Sequence, residues 1–213
     1  MRAVIFDFDG TIADSFTAVM DIAYRVTKNE QLKDINNVLA IKDSHKGLRE
    51  AVKILDIPRW RGIWMLKKGR KIMSKDILNV PLFEGIDEAL ARLRRAQYEL
   101  FIVTSNSTKN VEKFLSTKGI LSEFKAIYGG ASLFNKQSLI KRLIKDNKLK
   151  ISSTMYVGDE VRDIEAAKLL NMPIIAVSWG YNTEQLLLQH KPTILARTPK
   201  QLADVIIGWD DES

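Results

Sequence analysis

Cysteine is absent from the 213 residues. Disulfides, thiolate zinc sites, iron–sulfur clusters and cysteine nucleophiles are therefore excluded together. Histidine is scarce too: His45 and His190 stand alone, without metal-ligand spacing. No long apolar run occurs, because charges interrupt every hydrophobic stretch well short of the ~18 residues that span a bilayer. The first run, Ala3-Val4-Ile5-Phe6, meets Asp7 after four apolar residues, where a signal peptide needs ~7–15. A cytoplasmic location without a membrane partner is the expectation. What the chain has is a globular composition, 46% hydrophobic and 28% charged, which excludes disorder for most of its length.

The net charge is +7, and it is unevenly spread. Residues 14–83 carry 14 Lys and Arg against 8 Asp and Glu, so nearly all the excess sits in one segment. Within it, the tract 59–71 mixes six cations with Trp60 and Trp64, a composition compatible with RNA or an anionic membrane surface. A helix with Trp60, Ile63 and Trp64 turned inward and a solvated basic face explains the same residues more simply, and no nucleic-acid partner is expected.

Hydrophobic periodicity divides the chain. Residues 3–6 read as a buried strand ending in an acidic loop. Phe16, Val19, Met20, Ala23 and Val26 follow helical spacing, and helical patterning without a strand continues to about residue 80. Thereafter helices and strands alternate. Helices are expected around Ile86–Leu93, Val111–Leu115, Leu139–Ile144, Val161–Leu170 and Leu202–Ile206, and strands at 100–103, 126–128, 155–157, 174–177 and 193–195. This alternation calls for an α/β fold, a doubly wound, mostly parallel sheet covered on both faces. Residues 1–15 and 81–213 would form the core, and 16–80 an inserted all-helical cap lying over the carboxyl ends of the strands, where such sheets bind ligands.

Two acidic pairs end two of these strands. Asp7 and Asp9 flank Phe8 and precede Gly10, while Asp159 and Asp163 stand four apart, a spacing that stacks side chains on one helix face. If both strands are central, the four acids converge. Like charges 4 Å apart repel by roughly 4 kcal/mol at an effective dielectric near 20, so such a group needs a cation. Oxygen ligands alone point to a hard ion, and Mg²⁺ is the expected cofactor.

Asp7-Phe8-Asp9-Gly10-Thr11, Thr104 after its strand, Lys136, and Gly158-Asp159-Glu160-Val161-Arg162-Asp163 resemble, in order, the four motifs of the haloacid dehalogenase-like hydrolases. Thr11 to Ser15 and Trp179-Gly180-Tyr181 are similar to the phosphoglycolate-phosphatase-like branch, which has a helical cap. The resemblance implies a Mg²⁺-dependent phosphatase acting on a small phosphorylated metabolite. It makes Asp7 the nucleophile and Asp9 the general acid and then base. Thr104, Ser105, Asn106 and Lys136 would bind the phosphoryl group, and Asp7, Asp9 through its backbone carbonyl, Asp159 and Asp163 would position the metal. Gln137 stands where the family often places Pro after the lysine, and Lys141 and Lys145 offer competitors on the following turns. A sugar-phosphate mutase of the same family, and a non-catalytic basic interaction module, are the alternatives.

Overall fold

The structure, a computed structural model, describes residues 2–18, 77–130 and 136–209. Six strands form one parallel sheet: β1 (Ala3–Phe6), β2 (Glu99–Val103), β3 (Phe124–Tyr128), β4 (Thr154–Gly158), β5 (Ile174–Val177) and β6 (Ile194–Ala196), in the order β3-β2-β1-β4-β5-β6. The connecting helices are α1 (Ile86–Arg95), α2 (Thr108–Thr117), α3 (Lys136–Asp146), α4 (Val161–Lys168), α5 (Glu184–Gln189) and α6 (Pro199–Gly208). The chain fills the sheet outward from β1 to β3, then returns to lay β4 on the other side of β1. That reversal makes the β1–β4 seam the switch point where open parallel sheets hold their ligands.

Period-two geometry explains why β1 reads as an unbroken apolar run. Val4 and Phe6 face one core with Ile102, Val157 and Ile175, covered by Leu90 and Leu93 of α1, Phe114 of α2 and Ile206 of α6. Ala3 and Ile5 face the other with Phe101, Tyr156 and Ile174, covered by Ile140 and Leu143 of α3 and Ile164 of α4. All four residues of β1 are fully buried. Truncating Phe6, whose ring meets Phe124 edge-on at 6.3 Å, would cost about 3–5 kcal/mol.

Every strand expected from the apolar runs is present, with ends shifted by two residues at most. One helix was not legible: α5 is barely a turn and a half, with Leu187 its only buried side chain, and it starts because Thr183 Oγ1 accepts the Leu186 N–H. The expected stacking of Asp159 and Asp163 on one helix face is corrected, since α4 begins at Val161 and Asp159 precedes it.

The two ends of the expected insertion run side by side. Ala13 and Leu82 form an antiparallel bridge, Asp14 N–H donates to Pro81 O at 3.0 Å and Phe83 N–H to Ile12 O at 3.2 Å. The expectations placed on 19–76, including the helical pattern, the basic tract 59–71 and His45, lie outside the described residues.

Candidate active site

Asp7 leaves the end of β1 with its N–H on Val157 O of β4 at 2.8 Å, which sets it on the switch-point seam. Three successive N–H groups, from Thr11, Ile12 and Ala13, then fold back onto Phe8 O. This turn requires Gly10 twice over. Its φ of +82° is left-handed, and a Cβ there would fall 2.2 Å from Asp159 Oδ2. Thr11 Oγ1 in turn donates to Asp159 Oδ1 at 2.8 Å, and the Tyr181 N–H donates to Asp159 Oδ2 at 2.7 Å.

Lys136 opens α3 and turns inward, 5% exposed, while Lys141 and Lys145 of the same helix face solvent. Its Nζ lies 2.6 Å from Asp7 Oδ2 and donates to Asp163 Oδ1. Asp163 is fixed by a reciprocal cap at the start of α4: its Oδ2 accepts the Glu160 N–H at 3.1 Å, and the Glu160 carboxylate accepts the Asp163 N–H. One carboxylate oxygen from each of Asp7, Asp159 and Asp163 lies within 4.8 Å of the others.

Asp9 stands apart from this triad. Its Oδ2 receives the Asn106 side-chain amide at 3.4 Å, and its Oδ1 is buried without a hydrogen-bond partner. Asn106 sits in the loop after β2, where its N–H donates to Thr104 Oγ1 at 3.0 Å. Two donors, the Ser107 N–H at 2.9 Å and Asn110 Nδ2 at 3.2 Å, occupy its Oδ1, which leaves its NH₂ group to face Asp9. Thr104 is fully buried, and its N–H reaches Tyr128 O at 3.0 Å. Five of the expected residues are therefore knitted together directly: Asp7 with Lys136 and Asp163, and Asp9 with Asn106.

Burial dominates the electrostatics. It raises the proton affinity of Asp7 against the opposing pull of Lys136, and raises that of Asp159 far more, with Glu160, Asp7 and Asp163 adding to it. Asp9 is pushed up to about 6 by burial and by the Asp7 charge. Burial works against the Lys136 ammonium, but Asp163 and Asp7 outweigh it and hold its pKa above the usual value. Desolvated carboxylates that resist ionising together make a site in want of a cation, and an all-oxygen donor set of this kind suits Mg²⁺.

Several residues here were not among the expected site residues. Gly180 packs so close that a Cβ would fall 2.3 Å from Asp159 and 2.4 Å from Gly10 O, although its motif was noticed. Ser15 Oγ and Tyr181 OH share a hydrogen bond at 2.7 Å, with Phe16 edge-on to the Tyr181 ring. Asn110 gave no signal, because an Asn in the first turn of a helix looks like any other. Arg162 is half-buried beside Glu160, to which its Nη2 donates. His190 is half-buried, its Nδ1 3.0 Å from Leu186 O at the end of α5.

The chain is similar to known proteins in sequence and in fold. A family model described as haloacid dehalogenase-like hydrolase covers residues 4–177. A phosphoglycolate phosphatase of Synechococcus elongatus is 31% identical over 206 residues, 97% of each chain, and one of Colwellia psychrerythraea is 26% identical over 90% of each. The fold is shared with a predicted phosphatase from Clostridium acetobutylicum, with a TM-score of 0.84 at 20% identity over 97% of this chain and 98% of that one. The chain belongs to the haloacid dehalogenase-like hydrolases. It is an enzyme of the phosphoric monoester hydrolase class. Among the described residues, no helix is long and apolar enough to cross a membrane.

Proposed function

We propose that this enzyme hydrolyses a small phosphorylated metabolite, phosphoglycolate or a related phosphorylated acid or sugar, through a phosphoryl group carried briefly on Asp7. The observation that carries the reading is Asp7 at the β1–β4 seam, with Lys136 Nζ 2.6 Å from its Oδ2 and the Asp159 and Asp163 carboxylates beside it. The substrate class follows from the relatives named phosphoglycolate phosphatase.

In this reading Asp7 attacks phosphorus, and Asp9 protonates the leaving alcohol. Asp9 then takes a proton from the water that hydrolyses the acyl phosphate. An acid whose pKa is held near 6 can do both at neutral pH. Asn106 aims the Asp9 carboxylate, a task added to its expected place beside Thr104 and Ser105 around the phosphoryl group. Lys136 neutralises the oxygens being transferred and keeps Asp7 in place. Asp7, the Asp9 carbonyl, Asp159 and Asp163 would hold Mg²⁺, which supplies positive charge against the phosphoryl oxygens when bound. Residues 16–80, returning at the Ala13–Leu82 bridge, would form the cap over this site.

A panel of phosphorylated metabolites assayed with Mg²⁺ tests the reading. Phosphate release from phosphoglycolate or another small monoester is expected, and Asp7→Asn, which cannot form an acyl phosphate, should keep below about one per cent of it. Release of isomerised hexose phosphate instead of inorganic phosphate would mark a mutase. No turnover of any ester with several divalent ions would defeat the proposal.

A further inference from the structure

The six residues between β5 and α5, 178–183, form neither helix nor strand, yet four of them reach back to the acidic site. Trp179 Nε1 donates to Thr11 O at 3.2 Å, and Gly180 packs against the Asp159 side chain. The Tyr181 N–H donates to Asp159 Oδ2 at 2.7 Å. The Asn182 N–H donates to Asp159 O at 3.4 Å, while Asn182 Oδ1 accepts the Val161 N–H at 2.9 Å. With Thr11 Oγ1 on Oδ1, both oxygens of the fully buried Asp159 carboxylate are held, one from the loop after β1 and one from the loop after β5. Each oxygen keeps a lone pair for an ion.

A backbone N–H stays aimed at a carboxylate only while the residue that carries it is fixed. Tyr181 is fixed through its side chain. Its OH shares a hydrogen bond of 2.7 Å with Oγ of the fully buried Ser15, and its ring meets Phe16 edge-on with centroids 5.4 Å apart. Tyr181 therefore spans from the chain leaving β1 to the acid that ends β4.

We propose that Tyr181 is a positioning residue for Asp159: its side chain, anchored on Ser15 and Phe16, holds its N–H on Oδ2 and so presets the carboxylate to receive a divalent cation.

A ligand that must be ordered when the ion arrives binds it more weakly than one already held in place. A Tyr–Ser pair with a purely structural role would support the fold and leave metal affinity alone. The proposal rests on the reading of Asp159 as one of the carboxylates that hold Mg²⁺.

The test is calorimetric titration of the metal-free, full-length protein with Mg²⁺, without substrate. Tyr181→Phe and Ser15→Ala remove the same hydrogen bond from its two ends, and Tyr181→Phe keeps the ring on Phe16. Each should weaken Mg²⁺ binding about fivefold. The double variant should lose no more than the weaker-binding single one, because the two changes delete one interaction. Melting in chelator is measured alongside. A lower melting temperature with unchanged Mg²⁺ affinity, or losses of affinity that add in the double variant, overturns the proposal. Asp159→Asn is the reference and should bind far more weakly than any of these. If Asp159→Asn binds Mg²⁺ like the wild type, or the wild type binds none, the reading of Asp159 falls and this proposal falls with it. Wild-type affinity in Tyr181→Phe beside a weakened Asp159→Asn removes the proposal alone.

Discussion

Lys136 Nζ lies 2.6 Å from Asp7 Oδ2 and also donates to Asp163, so one ammonium bridges a carboxylate just after the first strand and one on the helix that follows the fourth. Its ring contact with Tyr156, 5.6 Å below the Nζ, supports it from the sheet side. Lys136→Met leaves two buried acids facing each other without a cation and should lower kcat by about 10²–10³. Lys141→Ala and Lys145→Ala, on the solvent face of the same helix, should leave kcat unchanged. Steady-state kinetics on an aryl phosphate decide it, and a Lys136→Met enzyme with wild-type kcat would refute the bridging role.

Gly10 and Gly119 both adopt positive φ, at +82° and +74°, yet only Gly10 has neighbours where a Cβ would go. Gly119→Ala should cost only the left-handed strain, about 1–2 kcal/mol. Gly10→Ala must in addition drive Asp159 away, so it should lose Mg²⁺ affinity and turnover beyond any loss in thermal stability. Magnesium titration of both variants compares them directly, and equal metal affinity would remove Gly10 from the site.

Asn110 reaches the chemistry through Asn106. Asn110→Leu removes a donor from Asn106 Oδ1 and frees the amide to turn away from Asp9. With a hydrogen bond contributing about 1 kcal/mol, kcat should fall roughly fivefold. KM should barely move, because the residue touches no substrate. A change confined to KM, or a fall in melting temperature with kcat preserved, would contradict this.

Stability should depend on pH in a sense opposite to that of a salt-bridged acid. Asp9 rises from an ordinary 3.8 to about 6 in the fold, through burial first and the Asp7 charge second. Between those values the folded chain holds more protons than the unfolded one, so stability is full below pH 3.8 and is lost as pH rises through 6. Asp7, Asp159 and Glu160 shift in the same direction, each through burial. In chelator, Asp9→Asn should therefore lose less stability than the wild type between pH 4.5 and 7. Excess Mg²⁺ should flatten the wild-type curve by supplying charge to the ionised acids. Denaturant melts across this range measure both effects, and a steeper loss in Asp9→Asn would be the wrong sign.

Much of this was legible in the chain itself. The strands were plain because each is a run buried on both faces, and such runs survive any register. The acids of the site were plain because strand ends at a switch point converge in every doubly wound sheet, so Asp7 and Asp159 meet as soon as β1 and β4 are neighbours. Lys136 was harder, since Lys141 and Lys145 share its helix and only burial distinguishes it.

Contacts that cross the chain at long range were not legible. Asp163 seemed to share a helix face with Asp159, but its place depends on a cap reciprocated by Glu160 and on a lysine 27 residues upstream. Asn106 read as a phosphate ligand, and which way its amide points is decided by Asn110 and Ser107. Gly180 carries no side chain to announce itself, and its necessity exists only because Asp159 and the Gly10 carbonyl press against it. By itself the sequence determined the element types, the sheet and the acids at its carboxyl edge, because hydrophobic period and strand-end chemistry are local properties. Only the tertiary structure decided which cation bridges which acid and which acid stands apart, because burial and hydrogen-bond partnership are properties of neighbours in space.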